Sequence, residues 1–284
     1  MDLVKERQHI RSADIPELVF RDYDIRGLAD SEINTHFARR LGQALGALIG
    51  ETAEHSVYVG RDARLSSTGL AAALKEGLMA CGCNVIDLGE VTTPALNFAV
   101  HHGGQSGNGI MVTASHNPAT YNGFKIILQH QVISGEMLQQ LIPTMRDGKP
   151  HSNQQARNTG SLVETDIVSQ YVDHIVNISN LSRTFKLVID GANSVPGPIA
   201  TQLFDRLGCL AFPLYCDIDG SFPNHSPNPA DEKNLVDLPW FICAGSDWFH
   251  LFSDIFHLMM SLIYIIRFLI FCCLKKIQLN MLSY

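Results

Sequence analysis

The chain lacks a lysine–arginine cluster. Its 21 basic residues are outnumbered by 28 acidic ones and the formal net charge is −7, so nucleic acid is not an expected partner. It also lacks cysteines at metal-ligand or disulfide-framework spacing. Of the seven, Cys81 and Cys83 lie two apart, and Cys272 adjoins Cys273. That suits reduced thiols packed as small hydrophobes. Met1 to Arg11 holds no apolar run, so no secretory leader is expected and the reading is cytoplasmic. Charged residues make up 17% against 46% hydrophobic ones, which excludes a disordered chain. A length of 284 residues suffices for two ordinary domains.

Residues 240–284 lack something different. They contain no Val, Glu, Thr or Pro, and one Ala and one Gly, yet hold both tryptophans and six of the fourteen phenylalanines. The chain before Pro239 is rich in the residues the tail lacks. A domain boundary rarely changes vocabulary so abruptly, and translation out of frame from about codon 239 is the expectation. Residues 255–274 are apolar except for His257, Ser261 and Arg267, and Lys275 and Lys276 follow. About 20 apolar residues can cross a bilayer, so the length permits membrane insertion without making a membrane the expected partner.

What is present before residue 240 is an alternation of helix and strand patterns. Ser31 is placed to cap a helix running to about Gly50, with Ile33, Phe37, Leu41, Leu45 and Leu48 on one face. Strands are expected at 57–60, 84–88, 109–113 and 124–128, and helices at 67–80, from Pro94, at 134–146 and at 164–178. The polar stretch 147–160 reads as a linker. Beyond it a strand at 186–190, a helix at 196–207 and a strand at 210–215 restart the pattern. Such alternation argues for α/β domains with mostly parallel sheets.

The sharpest local feature is Thr113-Ala114-Ser115-His116-Asn117-Pro118. It follows the apolar run Ile110-Met111-Val112, so Ser115 sits on a turn at the carboxyl end of a strand, where open α/β sheets place ligands. Asn122-Gly123-Phe124-Lys125 then brings a lysine back towards that turn. Upstream, the segment from Phe20 to Gly27 gathers Tyr23 and two arginines, Arg21 and Arg26, in one short loop.

These segments resemble the α-D-phosphohexomutase family, in its phosphomannomutase/phosphoglucomutase branch. The T-A-S-H-N-P turn, the Y-D-I-R-G run at 23–27 and the N-G-F-K run at 122–125 carry the resemblance. Val59-Gly60-Arg61-Asp62-Ala63-Arg64-Leu65-Ser66 and the G-S-F-P-N-H-S-P-N-P stretch at 220–229 add to it. The likeness covers residues 16–238. It implies two mixed α/β domains of phosphohexomutase type, domain I at 1–160 and an incomplete domain II at 161–239, followed by an unrelated apolar tail at 240–284.

The activity implied is intramolecular phosphotransfer between hexose 1-phosphate and hexose 6-phosphate, of mannose or glucose, through a phosphoserine and a hexose 1,6-bisphosphate. By the resemblance Ser115 carries the phosphoryl group, and His116 and Lys125 assist as catalytic residues. Tyr23, Arg26 and Lys125 bind the substrate. A phosphoserine brings about −1.5 to −2 charge, so cations beside it are physically required. Arg61 and Arg64 are read as structural partners of local carboxylates.

The resemblance also implies Mg²⁺, held by the phosphate on Ser115 and by the aspartates of a D-x-D-x-D-R run. The 284 residues contain no such run. Asp217 and Asp219 have alternate spacing that suits oxygen ligation, but they read as a surface turn. The expectation is therefore a truncated mutase without turnover of its own. The alternative is a non-catalytic sugar-phosphate-binding remnant attached to a membrane through its tail.

Overall fold

The computed structural model describes residues 15–147, 159–179, 181, 184, 186–228, 231–235, 237 and 248–252. In chain order the first part comprises β1 (Ile25–Leu28), α1 (Thr35–Gly50), β2 (Ser56–Arg61), α2 (Ser67–Ala80), β3 (Asn84–Glu90) and α3 (Thr93–His102). It continues with β4 (Gly109–Val112), β5 (Tyr121–Leu128), β6 (Gln131–Val132), α4 (Glu136–Gln139), α5 (Leu141–Asp147) and β7 (Leu162–Glu164). The second part comprises α6 (Val168–Ile178), β8 (Lys186–Asp190), α7 (Pro196–Arg206), β9 (Leu210–Leu214) and β10 (Trp248–Phe252).

The strands of the first sheet run in the order β1-β5-β4-β2-β3-β7, with β6 beside β5. The expectation of a mostly parallel sheet fails here. Strands β2, β3, β4 and β7 are parallel neighbours, but β5 runs antiparallel to both β4 and β1. The reason is the connection: residues 113–120 are too few for the crossover of a dozen or more residues that parallel neighbours need. The second sheet, β10-β8-β9, is parallel throughout.

Alternating residues of the central strands feed two cores. Val57, Val59, Ile110, Val112 and Ile126 pack with α1, α2 and α5 on one face. Tyr58, Met111 and Ile127 face the other way and join α3. That second cluster does not stop at the first sheet. It runs on through Tyr171, Val172 and Ile175 of α6 to Leu187, Ile189 and Phe204 around β8 and α7. Phe98 of α3 sits against Tyr171 and His174 of α6, with ring centroids 5.7 and 5.1 Å apart.

Several element boundaries differ from expectation. Asn34, not Ser31, caps α1, its Oδ1 accepting from the Phe37 amide at 2.9 Å. The helix expected at 134–146 breaks into α4 and α5, since Pro143 has no amide to continue the ladder of α4. The helix expected from Glu164 begins at Val168, because Asp166 accepts from the amides of Val168 and Ser169 and ends the extended run before it. Residues 162–164 instead form β7 and add a strand to the first sheet, although they follow the boundary drawn at residue 160.

On the second sheet, Trp248–Phe252, from the segment after Pro239, pair in parallel along Lys186–Asp190. The rest of the 240–284 tail, including 255–274, and most of the expected linker lie outside the described residues. Among the described residues no helix is long and apolar enough to cross a membrane. Burial pushes the Cys83 thiol up to about 12, as befits a cysteine packed as a hydrophobe.

Candidate active site

The turn after β4 is built around a strained serine. Ser115 has φ 57, left-handed backbone that costs a non-glycine residue of order 1 kcal/mol or more. Local bonds hold it there. Its amide donates to Thr113 Oγ1 at 2.9 Å, and the Asn117 amide and side chain both donate to the Ala114 carbonyl at 3.1 and 2.8 Å. Ser115 Oγ lies 3.5 Å from His116 Nδ1.

The cations stand on the neighbouring strands. Arg26 on β1 pairs across the ladder with Gly123 on β5, which places Arg26 and Lys125 on one face, diagonal to each other. Both converge on the buried Asp24 carboxylate, Arg26 at 3.1 Å and Lys125 at 3.8 Å. The Thr113 amide donates to the Gly123 carbonyl at 2.9 Å, so the serine turn and the cation strand are tied at their adjoining ends. Residues 21–24, Arg26, Asn117 and Tyr121 line a cleft of about 480 Å³. The exposed Tyr23 stands at its wall. Asn117 brings the serine turn to the same cleft.

Three residues that matter here were not singled out in the sequence, or were singled out for less. Asp24, in the bend just before β1, is the common carboxylate of the two cations. Asn122 is fully buried and donates to Ser66 Oγ and Ser67 Oγ at 2.8 and 2.9 Å, tying the start of β5 to α2. Arg64 does pair with a local carboxylate, Asp62, at 3.1 Å. Its two terminal nitrogens also reach the carbonyls of Ser115, Asn117, Pro118 and Tyr121. Arg61 pairs with Glu90 at 2.7 Å.

The residues at hand do not fit a complete metal site. Among the described residues no group of three or more His, Cys, Asp or Glu side chains could hold an ion. Asp219 is spent on a turn, accepting from the Ser221 amide and hydroxyl at 2.9 and 2.7 Å; the Ser221 bonds lower its carboxyl below the usual range. A phosphate on Ser115 would offer oxygens to Mg²⁺, but the described residues supply no cluster of acids around it.

The G-S-F-P-N-H stretch is stapled to β8. His225 Nε2 lies 3.0 and 3.1 Å from the two oxygens of the buried Asp190, and the Asn224 side chain donates to Asn193 at 2.7 Å. The Asp190 bond raises the His225 pKa above its ordinary value. The folded state therefore holds the proton more tightly than the unfolded chain does. The resulting stabilisation is full below the unfolded value of about 6.5 and fades as pH climbs through the higher folded value. Melting temperatures measured from pH 6 to 9 should fall more steeply for the wild type than for His225→Gln. Parallel curves would remove the ion pair from the account.

Comparison with known proteins places this geometry. Residues 17–150 match the phosphoglucomutase/phosphomannomutase alpha/beta/alpha domain I, and residues 169–239 match domain II of the same family. The phosphomannomutase/phosphoglucomutase of Pseudomonas putida is 39% identical over 231 residues, 81% of this chain and 48% of that one. A phosphoglucomutase of Neisseria meningitidis serogroup B is 39% identical over 228 residues, 80% and 48% of the two chains. Among solved structures, a phosphoglucomutase/phosphomannomutase family protein from Burkholderia thailandensis superposes with a TM-score of 0.76 at 39% identity, over 82% of this chain and 52% of that one. The chain spans about half the length of the relatives it matches.

Proposed function

Because the chain belongs to the phosphoglucomutase/phosphomannomutase family, we propose that its described residues form the phosphoryl-carrying half of a hexose-phosphate mutase. The substrates are hexose 1-phosphate and hexose 6-phosphate, of glucose or mannose, with the hexose 1,6-bisphosphate as intermediate. Phosphorylated Ser115 gives its phosphoryl group to a sugar hydroxyl. The bond from phosphorus to Ser115 Oγ breaks, a bond to the sugar oxygen forms, and the sugar hydroxyl proton ends on Ser115 Oγ, relayed by His116. The bisphosphate turns over, and its other phosphoryl group returns to Ser115. This covalent route splits one difficult transfer into two easier ones.

The roles follow from charge and reach. Arg26, in the cleft wall, and Lys125, joined to that wall through Asp24, neutralise phosphoryl oxygens, with Asp24 fixing where they point. His116, its Nδ1 3.5 Å from Ser115 Oγ, is the ring assigned to proton movement. Tyr23 meets the sugar at the cleft wall. Mg²⁺, when bound, would supply charge neutralisation at the Ser115 phosphate; the ion's protein ligands are not among these residues, and no step here depends on them. The observation that carries the reading is the left-handed Ser115 turn tied to the strand that bears Lys125.

The test is phosphate uptake. Incubation with glucose 1,6-bisphosphate should place one phosphate on Ser115, seen by intact and peptide mass, and none on Ser115→Ala. Lys125→Met should slow uptake by about a hundredfold, the loss typical of removing one charge-stabilising donor, with melting temperature unchanged because the side chain is half-exposed. Phosphate found elsewhere, or uptake indifferent to Lys125, would sink the assignment.

A further inference from the structure

We infer that Arg64 is the positioning residue that holds the Ser115 turn in its left-handed form, and that Phe222, from the second part of the chain, locks Arg64 in place. A guanidinium has five N–H donors in a rigid fork. In Arg64 all five are spent. Nε donates to Asp62 Oδ2 at 3.1 Å, and one terminal nitrogen to Pro118 and Tyr121 at 2.6 and 3.1 Å. The other donates to the carbonyls of Ser115 and Asn117 at 2.7 and 2.6 Å. The side chain is 1% exposed. An arginine so committed is not offering its fork to a phosphate. It gathers four carbonyls of one turn onto a single buried plane.

That gathering has a consequence for the nucleophile. In a planar trans peptide the C=O and the following N–H point in opposite directions. With the Ser115 and Pro118 carbonyls drawn towards Arg64, the N–H groups of His116 and Ala119 are turned away from it, outward from the turn. Arg64 thereby offsets the strain at Ser115 and aims two donors out of the loop that carries the phosphoryl group.

The lock comes from the loop after β9. The Phe222 ring lies over the Arg64 guanidinium, 5.4 Å from carbon to ring centroid, within the range of a cation–π contact. Phe222 itself has φ 52, and its amide donates to the Asp219 carbonyl at 3.0 Å. The loop reaches Arg64 because Gly220 has no side chain: a Cβ there would stand 2.0 Å from the Ala63 carbonyl oxygen. Asp62, Arg64, Thr113, Ser115, Ser194 and Phe222 share one small void at this junction. The second part of the chain therefore completes the nucleophile turn and does more than pack behind it.

The inference rests on Ser115 as phosphoryl carrier for its functional meaning, and the experiment separates the two. Amide hydrogen exchange is compared in wild type, Arg64→Lys and Phe222→Leu. The reporters are the turn amides of Ser115, Asn117 and Tyr121, and the reference is helix α3. A lysine has three donors on one point charge and cannot serve five acceptors in a plane. Arg64→Lys should speed exchange of the turn amides by about tenfold or more and Phe222→Leu by about threefold, with α3 unchanged. Millimolar guanidinium should slow the turn again in Arg64→Ala. Turn amides that stay protected in both Arg64→Lys and Phe222→Leu would overturn the inference. So would equal acceleration in α3, which marks general destabilisation. Phosphate uptake at Ser115 is followed in parallel. Its absence from the wild type removes the carrier reading and leaves the clamp to exchange alone, whereas uptake undiminished in a variant with a loosened turn removes the positioning role.

Discussion

Glucose 1-phosphate given to the 284-residue chain, with Mg²⁺ and a bisphosphate primer, should remain unconverted, at a rate roughly 10⁴-fold below that of a full-length relative. Carrying a phosphoryl group and turning a substrate over make different demands. On the proposed reading, the residues described here neutralise charge at one phosphate. Turnover also requires a hold on the sugar and on its far phosphate while the bisphosphate reorients. The 284 residues contain no D-x-D-x-D-R run, and the family match accounts for about half of a full-length relative. Losing one preorganised source of transition-state charge stabilisation costs roughly 3 kcal/mol, or about a hundredfold in rate. Two such losses give the factor stated. A coupled assay for glucose 6-phosphate reads the outcome directly. Conversion within about tenfold of a full-length relative would mean that these residues suffice, and the half-site description would have to be abandoned.

Gly123→Ala should be the most damaging single methyl group in the first sheet. A Cβ at position 123 would lie 2.0 Å from the Ile25 carbonyl oxygen and 3.0 Å from its carbon. Both are backbone atoms of β1, so no rotamer change relieves the clash. The strands must part, or β5 must shift. Overpacking of this kind costs about 3 kcal/mol when backbone has to move, which corresponds to a fall in melting temperature of roughly 6–12 °C for a chain of this size. The damage should not be confined to stability. The Gly123 carbonyl accepts from the Thr113 amide, and Gly123 pairs with Arg26, so a displaced β5 moves Lys125 relative to Arg26 and Ser115. Phosphate uptake at Ser115 should fall with the melting temperature. A variant that melts within about 2 °C of wild type would show that the strands can separate at little cost.

The serine turn and the lysine strand were legible in the sequence because each is a contiguous run with its own local geometry, whereas the run from Phe20 to Gly27, read as one loop, ends in strand β1 with Arg26 on it. The common carboxylate of the two cations, Asp24, lies just before β1, and nothing local marks it as the partner of Lys125, a hundred and one residues further on. Arg64 was not legible either. Its acceptors lie more than fifty residues further along the chain, and nothing in the D-A-R-L-S run distinguishes a clamp from an ordinary ion pair with Asp62. The same holds for His225, whose partner Asp190 is 35 residues upstream. Strand β7 is three residues long, too short for alternation to register against the helical pattern that follows. The antiparallel turn of β5 could have been foreseen from the length of residues 113–120, which the expectation of a parallel sheet overlooked. Family resemblance named the parts. What binds them into one site is tertiary, and it runs through residues whose neighbours in sequence are unremarkable.

The second hydrophobic cluster gives the molecule a property of a different kind. Its members come from α3 and the first sheet on one side, and from α6, β8 and α7 on the other. Neither side can lose its fold without wetting the apolar surface that the other still needs. Heat taken up on melting should then be absorbed in a single calorimetric step shared by both segments, and two resolved transitions would show that they melt apart.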